Sequence, residues 1–598
     1  MLNTFQNAER HQLRRKEREQ HLHNMDAIVN HSVFSTADDQ NLAPSQAADN
    51  LIGIPLRKTP SSDRNFTISG NDNSISPAGL SCYNGGKIRF RLLIGAGLLL
   101  ILVLATILAV RDHQVAPGTD TIWSDQDQNL NSNDQSASST LDRSSVRYKR
   151  IFSLLLDWQV SPKADLQDGS STAFRALEWL VSDPVELSDV EAIRTRFSLA
   201  VLYFSMHQNN MKWKNEQHWL SAYPVCLWHG IACRGDDDTV ERVHSINLAD
   251  QGLAGTIPRE LSLLELDIHF MDLSSNRVTG SIPSEIGVLK NMQHIYLGPS
   301  NITSSIPESL YHLSHLTHLY LNDCQLTGTL SESISSMTSL QGLGLHNNYL
   351  NGPIPTTIGI LDDLRVLYLD ENALTGTIPT SLGKLENLVD LRLRRNHLRG
   401  SIPTQLSSLR VLQILYADNN QLTGTIPAGL GNLLLLRELQ LYHNRLDGII
   451  PESFSSLVLL AILYLDGNLL SGSIPNLSNS RFLESIYLSD NDLTGNIPPS
   501  LGSLQYLKHV KLGGNRLANR LPSELGQLEK LQTLDVSVNL LDGTVPETLT
   551  RMTSVTEVRL HSNHLVGSIP FGPTCRADLQ LSADCLEVDC GCCTTCYD

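Results

Sequence analysis

A chain of 598 residues, 41% hydrophobic and 18% charged, has room for several domains, and its net charge of −17 argues against nucleic acid as principal ligand. It carries no nucleophile elbow, H-E-x-x-H, P-loop or kinase signature, and its twenty His are scattered without metal-ligand spacing, so the sequence favours binding over catalysis and implies no cofactor. Residues 1–91 are polar, lack any sustained hydrophobic period and read as disordered; the opening "AERHQLRRKEREQHLHNM" suits a solvated charged helix, and "RRKER" is too short and mixed in sign for a targeting patch. Residues 92–110, "LLIGAGLLLILVLATILAV", hold nineteen residues without a charge, about 28 Å as a helix, which predicts one transmembrane helix. It lies too far from the N-terminus and is too long for a cleaved signal peptide, so it reads as a signal anchor. Lys87, Arg89 and Arg91 crowd its N-terminal side, so residues 1–91 are expected in the cytoplasm and everything after the helix outside, a single-pass type II arrangement. Cys82 is close enough to the membrane for S-palmitoylation, against the plainer reading of a free thiol. Residues 111–145 contain twenty Ser, Asn, Asp or Gln in thirty-five, the composition of a flexible stalk.

From 146 to 239 the composition turns helical. "AFRALEWLV" and "SDVEAIRTRFSLAVLYFSM" predict two helices, the second opened by a Ser188/Glu191 capping box and burying Ile193, Phe197, Ala200 and Phe204 on one face. Cys226 and Cys233 then bracket Trp228 and Gly230.

Residues 240–572 repeat one phrase fourteen times, for example "LYLDENALTGTIPTSLGKL" from Leu367. The second apolar residue of each L-x-L falls at Leu248, Leu273, Leu297 and onward to Leu560, in steps of 24 with one of 25 and one of 23. Alternation points both apolar residues of a short strand into the core. Asn stands three places on in eleven repeats, where its amide can satisfy buried backbone groups, with Gln251, Ser300 and Cys324 as the departures. The following L-x-G-x-I-P supplies a tight turn and a fixed φ before a short helical segment. Such a period predicts an α/β solenoid, a leucine-rich-repeat superhelical arc of 14 repeats whose ends must be capped. Residues 573–598 carry Cys575, Cys585, Cys590, Cys592, Cys593 and Cys596. Their C-x-C-C-x-x-C spacing would suit a metal inside a cell; outside it, three disulfides are expected, with the pairing left open.

The phrase L-x-x-L-x-x-N-x-L-x-G-x-I-P resembles the plant-type subclass of plant receptor-like kinases and receptor-like proteins. The resemblance implies an extracellular arc that binds peptides, steroids, glycans or partner receptors. The Cys226/Trp228/Gly230/Cys233 element is similar to the C-x-W-x-G-V-x-C cap of that subclass, which implies a Cys226–Cys233 disulfide covering the first repeat. The signal anchor, helical cap and Cys-rich tail together look like the membrane leucine-rich-repeat proteins of diatoms and related algae.

Register places the binding surface. The residue between the two core positions of each strand faces the concave side: Tyr296, Tyr320, Tyr368, Arg392, Tyr416, Gln440, Tyr464 and Tyr487 are candidates, with Asn247, Asp272, Gly344, Lys511, Asp535 and Arg559 filling the column. Exposed-strand preference is the plainer account of the tyrosines. The adjacent column adds Asp370, Glu371, Arg394, Arg395, Asp418 and Asp466, so an arginine cluster sits between acidic repeats, set for inter-repeat salt bridges or for acidic groups of a ligand. His294, His318, His509 and His561 read as solvent-facing strand residues. Asn301 and Asn476 are glycosylation sequons on the outer side. The expectation is a plasma-membrane receptor-like protein that binds an extracellular peptide, glycan or protein and signals only through a co-receptor or kinase partner. Adhesion to wall glycans or a neighbouring cell, and inhibition of a secreted hydrolase, are the alternatives.

Overall fold

A computed structural model describes residues 142–597, apart from 186–188, 208–211, 235–241, 266, 572–577 and 592. The expected cytoplasmic region (1–91), the transmembrane helix (92–110), nearly all of the stalk (111–145), Cys82, Ser188, Cys575 and Cys592 lie outside the described residues. Among the described residues no helix is long and apolar enough to cross a membrane.

Three helices open the described chain: α1 (Val146–Asp157), α2 (Thr172–Ser182) and α3 (Val190–Ser205). The sequence reading missed α1. Its N-cap is Ser145, at the very end of the segment read as stalk, whose hydroxyl accepts from Tyr148 N at 3.1 Å. Asp189, not Ser188, caps α3, its carboxylate accepting from Glu191 N, so the expected box is replaced by an Asx cap one residue later. Ile193, Phe197 and Ala200 are buried as expected, and Phe204 packs at the margin of the same cluster.

The helices cover the first repeat through an aromatic plug. Trp228 is buried, with Trp179 at 5.8 Å and Trp219 at 5.2 Å between ring centroids. Beside it Arg196, also buried, pairs with Asp183 at 3.0 Å and donates to Tyr223 O at 2.7 Å. Cys226 and Cys233 are disulfide-bonded, and Ile231–Cys233 adds an antiparallel strand to the first repeat strand, Val243–Asn247. Gly230 makes the approach possible: its φ is +80°, and a Cβ there would strike the carbonyl oxygen of Asn247.

Fourteen parallel strands follow, one per repeat, within a 17-stranded sheet. Register is kept throughout: Leu367, Leu391, Leu415, Leu439 and Leu463 lie side by side. Eleven repeats turn away from the strand on an Asn. Asn396 donates to Leu369 O at 2.9 Å and Leu393 O at 3.2 Å and accepts from Leu374 N at 2.9 Å, so one buried side chain satisfies backbone groups of two repeats. All eleven asparagines occupy such sites; Ser300 and Cys324 substitute with an Oγ to Sγ contact of 3.2 Å. Short second strands after the Asn form smaller parallel sheets on the flank. The helical segments are single 3-10 turns, such as Thr380–Lys384, each preceded by the Pro of the repeat phrase except Glu332–Ser336, which Ser331 caps. The 23-residue repeat has none: Asn476 to Leu483 runs there as turns.

Beyond repeat 14 the sheet goes on. Gln580–Asp584 pairs with Glu557–Arg559, and Thr595–Tyr597 pairs with Gln580–Asp584, so the Cys-rich tail ends the solenoid by extending its sheet. Cys585–Cys596 and Cys590–Cys593 are bonded within it.

Candidate functional site

Numbering repeats 1 to 14 from Leu248 to Leu560, each strand turns three residues toward the concave side: one before the first core residue, one between the two, and one after the second. The middle column holds the tyrosines, as the register requires. It is not, however, a row of freely projecting rings. Tyr416, Gln440 and Tyr464 are only 5%, 7% and 7% exposed, and Tyr296, Tyr320, Tyr368, Arg392 and Tyr487 are half-buried. Strands about 5 Å apart carry rings wider than that spacing, so each side chain leans onto its neighbour.

Repeat 5 divides the strip. Its two outward strand residues are Gly342 and Gly344, and the Tyr320 ring lies over both: a Cβ on Gly342 would sit 2.8 Å from Tyr320 Oη, and one on Gly344 would collide with the ring. N-terminal to this saddle, Tyr296 stacks on Tyr320 at 5.5 Å and His294 on His318 at 5.0 Å, so these histidines are half-buried partners, not free solvent-facing side chains. Burial pushes the Tyr320 hydroxyl up to about 12.

C-terminal to it, repeats 6 to 10 form a network of phenols, guanidiniums and carboxylates. Arg392 makes a fork onto Asp390, with Nη2 to Oδ2 at 2.9 Å, while its guanidinium lies 4.3 Å from the Tyr368 ring centre and 5.4 Å from that of Tyr416. Tyr368 Oη donates to the same Asp390 at 2.8 Å, and Tyr416 Oη donates to Glu438. Arg394 reaches Asp370 at 3.3 Å and Glu371 at 3.6 Å; Arg395 reaches Glu371 at 2.9 Å. The inter-repeat salt bridges of the sequence reading are therefore present, and all three arginines expected to meet acidic ligand groups already hold carboxylates of their own chain.

Asp418, on repeat 8, is fully buried. It accepts from Asn419 Nδ2 at 2.8 Å, yet its Oδ1 has no hydrogen-bond partner; the same is true of Asp370 Oδ1. Burial pushes the Asp418 carboxyl up to about 6 against the pull of that hydrogen bond and of Arg394. Burial likewise raises Asp390 and Glu438. The strip ends on Tyr464 stacked with Tyr487 at 4.2 Å, with Lys511 Nζ 4.6 Å from the Tyr487 ring centre.

Asp390 and Glu438 escaped the sequence reading because they stand one place before the strand's first core residue. The same two-residue alternation that found the tyrosines finds them. Tyr442 was missed in the column after the second core residue, where only charged residues were read. Asn301 and Asn476 are both exposed. Among the described residues no group of three or more His, Cys, Asp and Glu is placed to hold a metal.

Comparison with known proteins agrees with this architecture. Residues 269–326, 362–422 and 410–470 match a family model described as leucine rich repeat, and residues 482–504 match a second model of the same description. Among solved structures the chain is similar to the plant peptide hormone receptor RGFR1 in complex with RGF2, at 31% identity over 61% of this chain and 68% of that one, with a TM-score of 0.51. The ectodomain of the Arabidopsis receptor kinase HAESA in complex with an extended IDA peptide hormone is 30% identical over 60% of this chain and 65% of that one, with a TM-score of 0.52. HAESA in complex with IDA and the co-receptor SERK1 gives 29% identity, 64% and 67% coverage, and a TM-score of 0.52. No curated protein sequence matches the chain.

Proposed function

The chain belongs to the leucine-rich-repeat proteins, distantly related to plant leucine-rich-repeat receptor ectodomains at 31% and 30% identity, and from that membership we propose that it is a membrane-anchored, receptor-like protein that binds an extracellular peptide on its concave face. One observation carries the reading: repeats 6 to 11 present an unbroken strip of aromatic and charged side chains on a sheet whose register never slips. Six strands at about 5 Å span roughly 25 Å, the length of an extended peptide. The similar structures that carry bound peptide hormones support a peptide over a glycan.

The finer points rest on the sequence. Residues 92–110 anchor the protein in the plasma membrane with the repeats outside, and a partner, a co-receptor or kinase, carries the signal onward. The disulfides at Cys226–Cys233, Cys585–Cys596 and Cys590–Cys593 support an oxidising compartment for the repeats. The test is capture: immobilised residues 146–598 are offered secreted peptides and wall polysaccharides side by side. Retention of a peptide supports the reading; retention of polysaccharide alone replaces it with wall adhesion.

A further inference from the structure

We propose that the concave strip takes a basic peptide and that Asp418, on repeat 8, anchors one of its cationic side chains. The inference rests on the concave-face reading above and names the chemistry of its ligand.

Charge balance comes first. The three guanidiniums of repeat 7 are matched by carboxylates of this chain, Arg392 by Asp390, Arg394 by Asp370 and Arg395 by Glu371. An acidic ligand would have to compete with these pairs, the first of them a fork buried between two tyrosine rings, and breaking a buried pair leaves a charge uncompensated. Once those pairs are formed, Asp418 and Glu438 remain as carboxylates without a salt bridge among the described residues, and the strip is acidic. Its charge complements a cation.

The second observation is local. Asp418 is fully buried, and its Oδ1 makes no hydrogen bond. An unserved carboxylate oxygen inside a protein is costly and calls for a donor. The groups facing it are Arg394 from repeat 7, Tyr442 from repeat 9 and Asn419 on its own repeat. Arg394 is already engaged with Asp370 and Glu371. Tyr442 brings only a neutral hydroxyl to the neighbourhood of Asp418. A ligand guanidinium supplies two parallel charged donors to the same carboxylate, a stronger and more directional bond. By turning aside, the Tyr442 ring would offer its face to the incoming cation, with Tyr464 next along at 6.3 Å. The elevated proton affinity of Asp418 fits a carboxylate that lacks a full cationic partner.

The experiment measures binding of three decapeptides to the full chain by titration calorimetry at low ionic strength: glycine alternating with arginine, with glutamate and with serine. The arginine peptide is expected to bind at least tenfold tighter than the serine peptide, and the glutamate peptide more weakly than either. Asp418→Asn should weaken the arginine peptide tenfold or more and leave the serine peptide unchanged. Tyr442→Phe, which removes the neighbouring hydroxyl and keeps the carboxylate and the ring, should preserve or raise the affinity. Asp492→Asn, on the flank where Asp492 pairs with Arg516, controls for general attraction to an acidic protein. Equal effects of Asp418→Asn and Asp492→Asn, or tighter binding of the glutamate peptide, would overturn the anchor. In the second case, loss of the glutamate peptide on Tyr464→Ala would still leave the concave reading standing. If no strip variant alters binding of any of the three, both fall.

Discussion

Replacing Asp418 by Asn should stabilise the protein, and only above a defined pH. In the unfolded chain the carboxyl has its ordinary value of 3.8; in the fold, burial raises it to about 6. The folded state therefore holds the proton more tightly. Stability from this group is full below 3.8 and declines as pH rises through about 6. Two units at about 1.4 kcal/mol each give up to about 3 kcal/mol lost from the wild type at neutral pH. Asparagine is neutral at every pH, nearly the same shape, and keeps a carbonyl oxygen for the Asn419 donor. Denaturant unfolding of both proteins at pH 4, 5, 6 and 7 should show curves that nearly coincide at pH 4, then a growing advantage for Asp418→Asn that levels off above pH 7. Asp390 and Glu438 are shifted in the same direction, but they are common to both proteins and cancel in the difference. A variant less stable at pH 7, or a difference that does not move with pH, would mean that Arg394 compensates Asp418 fully, and the reasoning about the buried carboxylate would be wrong.

Arg196→Ala should destabilise by about 3 to 5 kcal/mol, because it leaves Asp183 charged and buried beside the aromatic plug; a change under 1 kcal/mol in the melting of the cap would refute that. Cys226→Ser should lower stability by about 2 to 5 kcal/mol, and an unchanged Tm with two free thiols in the wild type would show the bond is not native. Glycosidase treatment should remove mass that depends on Asn301 or Asn476, both exposed; modification instead at Asn65, in the Asn65-Phe66-Thr67 sequon of the segment expected in the cytoplasm, would reverse the expected orientation. Protease added to intact cells should digest the repeats and spare an N-terminal tag, and the opposite pattern would do the same.

How far the chain could be read depended on whether a feature repeats. Asn396 performs the same three hydrogen bonds as ten counterparts, so its structural role is written in the 24-residue period. Tyr416 was placed on the correct face by alternation, but its burial was not legible. That burial depends on Arg392 and Glu438 from the adjoining strands, and lateral packing across a sheet leaves no periodic mark. The arginine cluster is legible in the sequence while its saturation is not, since Asp390 stands in a different column from Arg392's tyrosine neighbours, one place before Leu391. Helix α1 and the strand Thr595–Tyr597 lack the L-x-L phrase, and the strand Gln580–Asp584 has its Leu581-Ser582-Ala583 core without the Asn and L-x-G-x-I-P that follow in the repeats; they owe their place to docking on the ends of the solenoid, a tertiary cause that a local pattern does not carry.

The central claim is that recognition occurs on the concave strip of repeats 6 to 11, and a paired capture experiment tests it most directly. Secreted peptides retained by the wild-type repeats are quantified against Tyr464→Ala/Tyr487→Ala, which opens the stacked end of the strip, and against Ile360→Ser, an exposed change on the 3-10 turn of repeat 5. With equal Tm as the control for folding, the double variant is predicted to lose about thirtyfold or more in affinity, the scale of truncating a hot spot, while Ile360→Ser retains it. Full retention by the double variant together with loss in Ile360→Ser would place the binding surface on the outside of the arc and contradict the account.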